Sequence, residues 1–333
     1  MKFGLFGAAQ ARRGGPDTDS AAGFHEYIDY VVEAERLGFA STFIVEHHFT
    51  GFGQVSASLN LLTWIGARTR TIRLGTAVLV LPWHNPVLLA EQAATLDLLS
   101  GGRLDFGVGR GYRAGEFSGF CVPMEEAEAR FEESVDVITR AWTSDVPFSH
   151  TGRFWRYENI VVEPPTAQRP HPPFWQGAGH AHSIRRVAAR GHGLLIDQFC
   201  SLDAVGERLA LYRDAIETAG FGFDPARVAV ARAFFVAHTD AERDEALERR
   251  LLAQRRLLAA SAAPAGTPVS SIMAFSDTRE ASAESALYGT PDEIAHKIER
   301  LDAMGVRYIL LNGGGTSREN LRRFARDVMP LCP

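Results

Sequence analysis

The run Glu46-His47-His48 stands where an apolar stretch, Ser41-Thr42-Phe43-Ile44-Val45, gives out. A carboxylate beside two imidazoles is raw material for a metal site or for proton transfer near neutral pH. One ion needs its ligands on one side, and consecutive residues of a strand point to opposite faces. His47 and His48 therefore cannot share a metal while the strand lasts. No other His/carboxylate set has ligand spacing, so no metal is expected. His47 reads either as a general acid/base or as a histidine hydrogen-bonded to a neighbouring loop.

Two glycine-rich turns offer a different chemistry. Gly107-Val108-Gly109-Arg110-Gly111-Tyr112 has GxGxG spacing, not the GxGxxG of a dinucleotide fold. About 14 residues separate it from the next clear helix, which excludes a Rossmann turn. Its glycines would let a planar ligand approach the backbone, and Arg110 could pair with phosphate; the other reading is a tight loop with a solvated arginine. Gly177-Ala178-Gly179-His180-Ala181-His182-Ser183 joins a strand directly to a helix start. The free amides and positive dipole end of such a turn attract anions; the alternative is a plain helix cap. Asn312-Gly313-Gly314-Gly315 reads as a flexible link.

These residues need a scaffold, and the chain alternates strand and helix to supply one. Apolar strand runs fall at 2–8, 41–47, 72–81, 103–109, 173–178, 193–199, 227–237 and 306–312, with helical periodicity between them. Asn85-Pro86 and Thr290-Pro291-Asp292-Glu293 open helices with a cap residue and a first-turn proline, and Thr316 with Glu319 repeats the capping-box spacing. Eight such units favour an α/β (β/α)8 TIM barrel in a single domain over 1–333. Insertions fall at about 147–163, read as a hairpin, and about 238–288, a charged helix turning Ala/Ser/Pro-rich. Residues 259–288 form a candidate lid. In such a barrel, chemistry gathers at the C-terminal ends of the strands, where the three motifs stand.

Composition narrows the partners. Hydrophobic residues make up 46% and charged residues 23%, and 35 Lys plus Arg against 40 Asp plus Glu give a net charge of −5. That balance excludes an electrostatic nucleic-acid footprint. No run approaches the ~20 apolar residues of a membrane span. The first residues lack a signal-peptide pattern, and Cys121, Cys200 and Cys332 are too scattered for a disulfide framework or zinc site. A cytoplasmic protein is expected.

The residues in order resemble the bacterial luciferase family of flavin-dependent monooxygenases across nearly the whole chain. The landmarks are Met1-Lys2-Phe3-Gly4, Glu46-His47-His48-Phe49-Thr50 with Phe52-Gly53, Gly75-Thr76-Ala77-Val78-Leu79-Val80-Leu81-Pro82, Gly102-Arg103-Leu104-Asp105-Phe106-Gly107 with Arg110-Gly111, Gly289-Thr290-Pro291, and Val328-Met329-Pro330. The resemblance implies a (β/α)8 barrel using FMNH2 from a separate NAD(P)H:flavin reductase. It implies O2 activated as a flavin C4a-hydroperoxide that oxygenates a small organic substrate, and a homodimer. His47 falls at the family's catalytic histidine. Ala77-Val78 falls at its non-proline cis peptide beneath the isoalloxazine, with Gly109 beside the flavin. Arg110 matches the phosphate arginine, and Gly179, His180 and Ser183 fall at the phosphate turn. Phe6, Phe49, Tyr112 and Phe199 would line the substrate cavity, or else pack in the core.

Luciferase has a cysteine at the position of Gly109, Glu-Ser at Gly179-His180 and Ser-Trp at Asp197-Gln198. These departures touch the pocket and turn the expectation away from light emission on long-chain aldehydes. Two alternatives share the barrel: hydride transfer with the deazaflavin F420, and a non-catalytic flavin-binding partner subunit.

Overall fold

The protein was analysed as a computed structural model that describes residues 1–260 and 270–332. The strands are β1 (Lys2–Gly7), β2 (Ser41–Ile44), β3 (Arg73–Thr76), β4 (Leu79–Val80), β5 (Leu104–Gly109), β6 (Phe148–Thr151), β7 (Arg156–Ile160), β8 (Phe174–Gly177), β9 (Gly193–Ile196), β10 (Val228–Val236), β11 (Ala286–Gly289) and β12 (Tyr308–Asn312). The helices are α1 (Ala22–Arg36), α2 (Ser58–Arg68), α3 (Pro86–Ser100), α4 (Ala114–Gly119), α5 (Ala127–Thr143), α6 (Ala181–Ala189), α7 (Leu202–Thr218), α8 (Asp240–Ala260), α9 (Arg279–Glu284), α10 (Pro291–Ala303) and α11 (Arg318–Arg323). The fold is the (β/α)8 TIM barrel that the strand and helix periodicities predict, with β3 and β4 sharing one strand position.

Local chemistry sets the helix ends. The Asn85 side chain accepts from the amides of Val87 (3.0 Å) and Leu88 (3.2 Å), so α3 starts where its cap and Pro86 dictate. Gly101 closes it at φ 68°, a left-handed conformation that glycine adopts without strain. Thr290 and Glu293 form the expected capping box at α10.

The chain divides into two compact units. One comprises Met1–Gly7, His25–Phe43 and Gln176–Pro333. In it β12 pairs in parallel with β1 (Lys2 opposite Tyr308) and with β10 (Val230 opposite Ile309), and β9 also pairs with β10 (Val228 opposite Leu194). Phe324 packs edge-on against Phe3 and Phe234, at 5.2 and 5.3 Å between ring centres. The other unit comprises Ala8–Phe24 and Ile44–Trp175. Here β3 and β4 pair with β5, and Phe106 packs on Trp142 and Phe174 at 4.9 and 5.4 Å. The expected hairpin is present as the antiparallel pair β6–β7.

Three sequence expectations are corrected. The third strand run is interrupted at Ala77–Val78, where the peptide bond is cis. The second ends at Ile44, not 47, so Glu46 and the two histidines lie beyond the ladder. The last helix is capped by Ser317, whose side chain accepts from the Asn320 amide, and not by Thr316. Asn320 itself binds β10, accepting from the Val236 amide at 2.9 Å.

The segment 238–288 is also more structured than its composition implies. It holds α8, α9 and β11, and β11 pairs with the end of β10 (Ala233 opposite Ala286). The Lys297 ammonium fixes its turn by donating to the carbonyls of Ala283 (3.1 Å) and Ala286 (2.8 Å). The remainder of the lid candidate, residues 261–269, lies outside the described residues. Among the described residues no helix is long and apolar enough to cross a membrane.

Candidate active site

Past the end of β2 the backbone is held by loop contacts, with the His47 amide donating to the Val55 carbonyl at 3.1 Å. His47 Nδ1 lies 3.0 Å from Oε1 of Glu116, which is buried on the first turn of α4. The same oxygen accepts from the His48 amide at 3.0 Å. A carboxylate accepts only, so the bond makes His47 Nδ1 the donor. In the neutral ring Nε2 is then the basic atom, and it has no partner among the described residues. That arrangement suits a group that takes up and returns a proton.

Glu46 is buried and holds a second group. Its Oε1 meets His48 Nε2 at 2.8 Å and His84 Nε2 at 2.9 Å, and accepts from Trp83 Nε1 at 2.8 Å. Oε2 accepts from the Val80 amide at 3.3 Å. Burial raises the carboxyl pKa, but the bonds from His48, His84 and Trp83 outweigh it and bring the group to about 2. His48 is wedged edge-on between Trp83 and Phe120, at 5.8 and 4.7 Å. Phe49 rests on Phe120 with φ 56° and stays 65% exposed. The two histidines thus take different glutamates, as the opposition of neighbouring side chains implies, although the strand ends before them.

The glycines at 107 and 109 serve close approach. A Cβ at Gly107 would stand 1.7 Å from the Thr76 carbonyl oxygen, and one at Gly109 would stand 2.5 Å from Val78 Cγ2. Thr76 Oγ1 completes the contact, donating to the Gly107 carbonyl (2.7 Å) and accepting from its amide (2.9 Å). Val78 therefore fills the space that a side chain at 109 would need. Arg110 reaches solvent and pairs with Glu128 at 2.8 Å, the side chains 52% and 40% exposed. Tyr112 is half-buried, with the Arg113 guanidinium 5.7 Å from its ring centre.

In the other unit, α6 begins at His180 with no side chain capping its first amides. Gly179 and Ser183 flank that start, half-buried, and a Cβ at Gly177 would meet nothing within 4 Å. Phe6, near the end of β1, is half-buried. Phe199 is stacked on Phe275 at 4.3 Å.

Sequence reasoning missed Glu116, Glu46 and His84 as working parts. Glu46 is legible only as part of the Glu46-His47-His48 run, where nothing signals that it closes on His48, His84 and Trp83. Glu116 is a lone acid 69 residues from His47, and only the fold joins them. The available signal was its place in a short acidic helix start just after the Gly-Arg-Gly-Tyr turn.

The chain is similar to proteins of known description. A family model described as luciferase-like monooxygenase matches residues 1–308. The FMNH2-dependent dimethylsulfone monooxygenase of Pseudomonas putida is 28% identical over 90% of this chain and 85% of its own. The oxygenase component of the flavin-dependent trigonelline monooxygenase of Acinetobacter baylyi is 29% identical over 57% of this chain and about half (52%) of its own length. Among solved structures, the monooxygenase RslO1 of Streptomyces bottropensis superposes with a TM-score of 0.85 at 29% identity, covering 99% of both chains.

Proposed function

This chain belongs to the luciferase-like monooxygenase family, and on that premise we propose that it is the oxygenase component of a two-component system. It takes reduced FMN from a separate NAD(P)H:flavin reductase and oxygenates a small organic substrate. The observation that carries this reading is His47, held at Nδ1 by Glu116 and open at Nε2 beyond a barrel strand's C-terminal end. The relatives described as FMNH2-dependent and as an oxygenase component support the cofactor and the reductase.

The residues present fit a flavin mononucleotide. The uncapped α6 start and the open space at Gly177 form an anion cradle. Gly179, His180 and Ser183 are assigned to phosphate in one unit. Ala77, Val78, Gly109 and Arg110 are assigned to the cofactor in the other. Bound reduced FMN supplies the electrons and the activation of O2. The chain's own residues orient it, exclude water and move protons. His47 Nε2 carries the proton, and Glu116 keeps the ring turned. Phe6, Phe49, Tyr112 and Phe199 supply apolar walls for the substrate.

Trp64 on α2 with Leu88 and Leu99 on α3 are exposed, and such apolar surface supports a homodimer. Three free cysteines support a reducing, cytoplasmic setting.

The test is stopped-flow absorbance after protein with anaerobically reduced FMN meets oxygenated buffer. The expected result is flavin oxidation slower than for free flavin, through a transient that His47→Ala shortens. Oxidation at the free-flavin rate, with no binding, would overturn the reading. Reduction of a substrate by reduced F420 would then take its place.

A further inference from the structure

Two arginines in the unit that carries β9 to β12 are buried without a counter-ion among the described residues. Arg232, on β10, is 1% exposed. Its Nη1 donates to the carbonyls of Asp197 (3.2 Å) and Ala231 (3.0 Å), its Nη2 lies 4.0 Å from Cys200 Sγ, and its Nε is sealed in without a partner. Arg250, on α8, is 8% exposed. Its Nε donates to the Ser282 carbonyl at 3.4 Å, and its Nη2 to the Gln198 carbonyl and Ser285 Oγ, both at 3.2 Å. Its Nη1 has no partner among the described residues. The two guanidinium groups thus reach consecutive carbonyls of the turn that follows β9.

Among the described residues no acid nearby neutralises them. The Asp197 carboxylate is committed elsewhere: Arg208 holds Oδ2 at 2.6 Å, and the amides of Phe199 (2.9 Å) and Cys200 (3.0 Å) hold Oδ1. Burial pushes both the Cys200 thiol and the Tyr288 phenol up, which keeps them uncharged near neutral pH. For Arg250, burial lowers the pKa to about 10, Tyr288 opposing and Arg232 adding to the fall. A desolvated cation is stable in a folded protein when an opposite charge and good hydrogen bonds repay its lost hydration.

The surroundings look prepared for a ligand. Gln254 Oε1 and Ser282 Oγ are buried and unpartnered. Gln198 accepts from Asn312 Nδ2 at 3.2 Å, which ties the turn after β9 to the end of β12. The Arg250 guanidinium lies 5.7 Å from the Phe199 ring centre, and Phe199 is stacked on Phe275. Charge, an unused donor and an aromatic platform therefore meet at strand ends where barrel enzymes bind substrate.

We propose that the missing counter-ion belongs to the substrate: Arg250 recognises an organic carboxylate carried on a flat apolar body, with Phe199 as its platform. The guanidinium fork matches a carboxylate in two parallel bonds. The inference rests on the monooxygenase reading and narrows its substrate class to organic anions.

The test uses the full chain without flavin or oxygen, titrated by calorimetry at constant ionic strength with benzoate, benzamide and inorganic phosphate. Benzoate is expected to bind saturably and roughly tenfold or more tighter than its neutral amide, a preference that Arg250→Met abolishes. Arg249→Met, at an exposed neighbour on the same helix, should keep it. Equal binding of benzoate and benzamide, no saturable benzoate binding, or unchanged benzoate affinity in Arg250→Met overturns the proposal. Tighter binding of phosphate than benzoate overturns the organic carboxylate. Should Arg250→Met fail to fold, Arg250→Lys decides: loss of the fork should weaken benzoate several-fold and leave benzamide unchanged, and wild-type affinity for both overturns the inference. Because no flavin is present, failure here leaves the His47 result standing, and the reverse also holds.

Discussion

Glu46 and Glu116 are both buried glutamates, and each holds one of two consecutive histidines whose side chains are equally exposed, 14% for His47 and 15% for His48. Their difference lies in what each carboxylate has left to give. Glu46 spends both oxygens on His48, His84, Trp83 and the Val80 amide. Glu116 uses one oxygen, and the ring it holds keeps a free nitrogen. At equal burial, a saturated carboxylate should serve stability and an unsaturated pair should serve proton transfer.

The sharpest break in that contrast would come from His47→Ala. The flavin oxidation transient should shorten, and loss of a positioned acid/base should cost about 10²–10⁴ in the rate of substrate oxygenation, with stability kept within about 1 kcal/mol. A variant that unfolds as readily as it loses activity would erase the distinction. Glu46→Ala should do the opposite. Removing one partner from a buried charged group costs about 3–5 kcal/mol, measured by urea unfolding, because three side-chain donors lose their acceptor at once.

Acid should find the same difference. The Glu46 carboxyl is held at about 2, below its ordinary 4.5, so its contribution is complete above 4.5 and is lost as pH falls toward 2. The loss is on the order of 3 kcal/mol by linkage. Unfolding free energies measured between those pH values should fall less steeply in Glu46→Gln, and identical slopes would show that Glu46 is not the titrating group.

Glu116→Gln sharpens the other side. A residue that only orients its neighbour is worth about 10–100-fold. The amide can hold His47 in the opposite tautomer, so the pH profile of the transient should shift while the fold stays intact. Smallest of all is Glu128→Gln. An exposed ion pair contributes under about 1 kcal/mol, so thermal stability should barely move.

Much of the barrel is readable because its signals are local. Asn85-Pro86 and Thr290-Pro291 carry their own caps, and strands such as Leu194–Ile196 are apolar on both faces. β11 escaped because Ala286–Gly289 is a short run inside a weakly patterned stretch, and the Lys297 ammonium that steadies its turn lies beyond it in sequence. The break at Ala77–Val78 also escaped the apolar pattern, which runs on through it; only the family resemblance marks the place. In the site, His47 was visible as a residue type at a strand end. Its partner was not, because a lone glutamate after a glycine turn looks like any solvated acid until folding buries it. Thr316 with Glu319 has the capping-box spacing, but Ser317 meets the same residue preference, and only the helix register separates the two.

The pair between Arg110 and Glu128 carries a consequence in time. Both side chains stand largely in water, so their bond opens and closes at the pace of exposed rotamers, in picoseconds to nanoseconds. An anion binding at Arg110, as proposed, would meet no slower step than the opening of that pair. If Arg110 holds the anion as proposed, that pace would suit a passenger that boards and departs at every turnover.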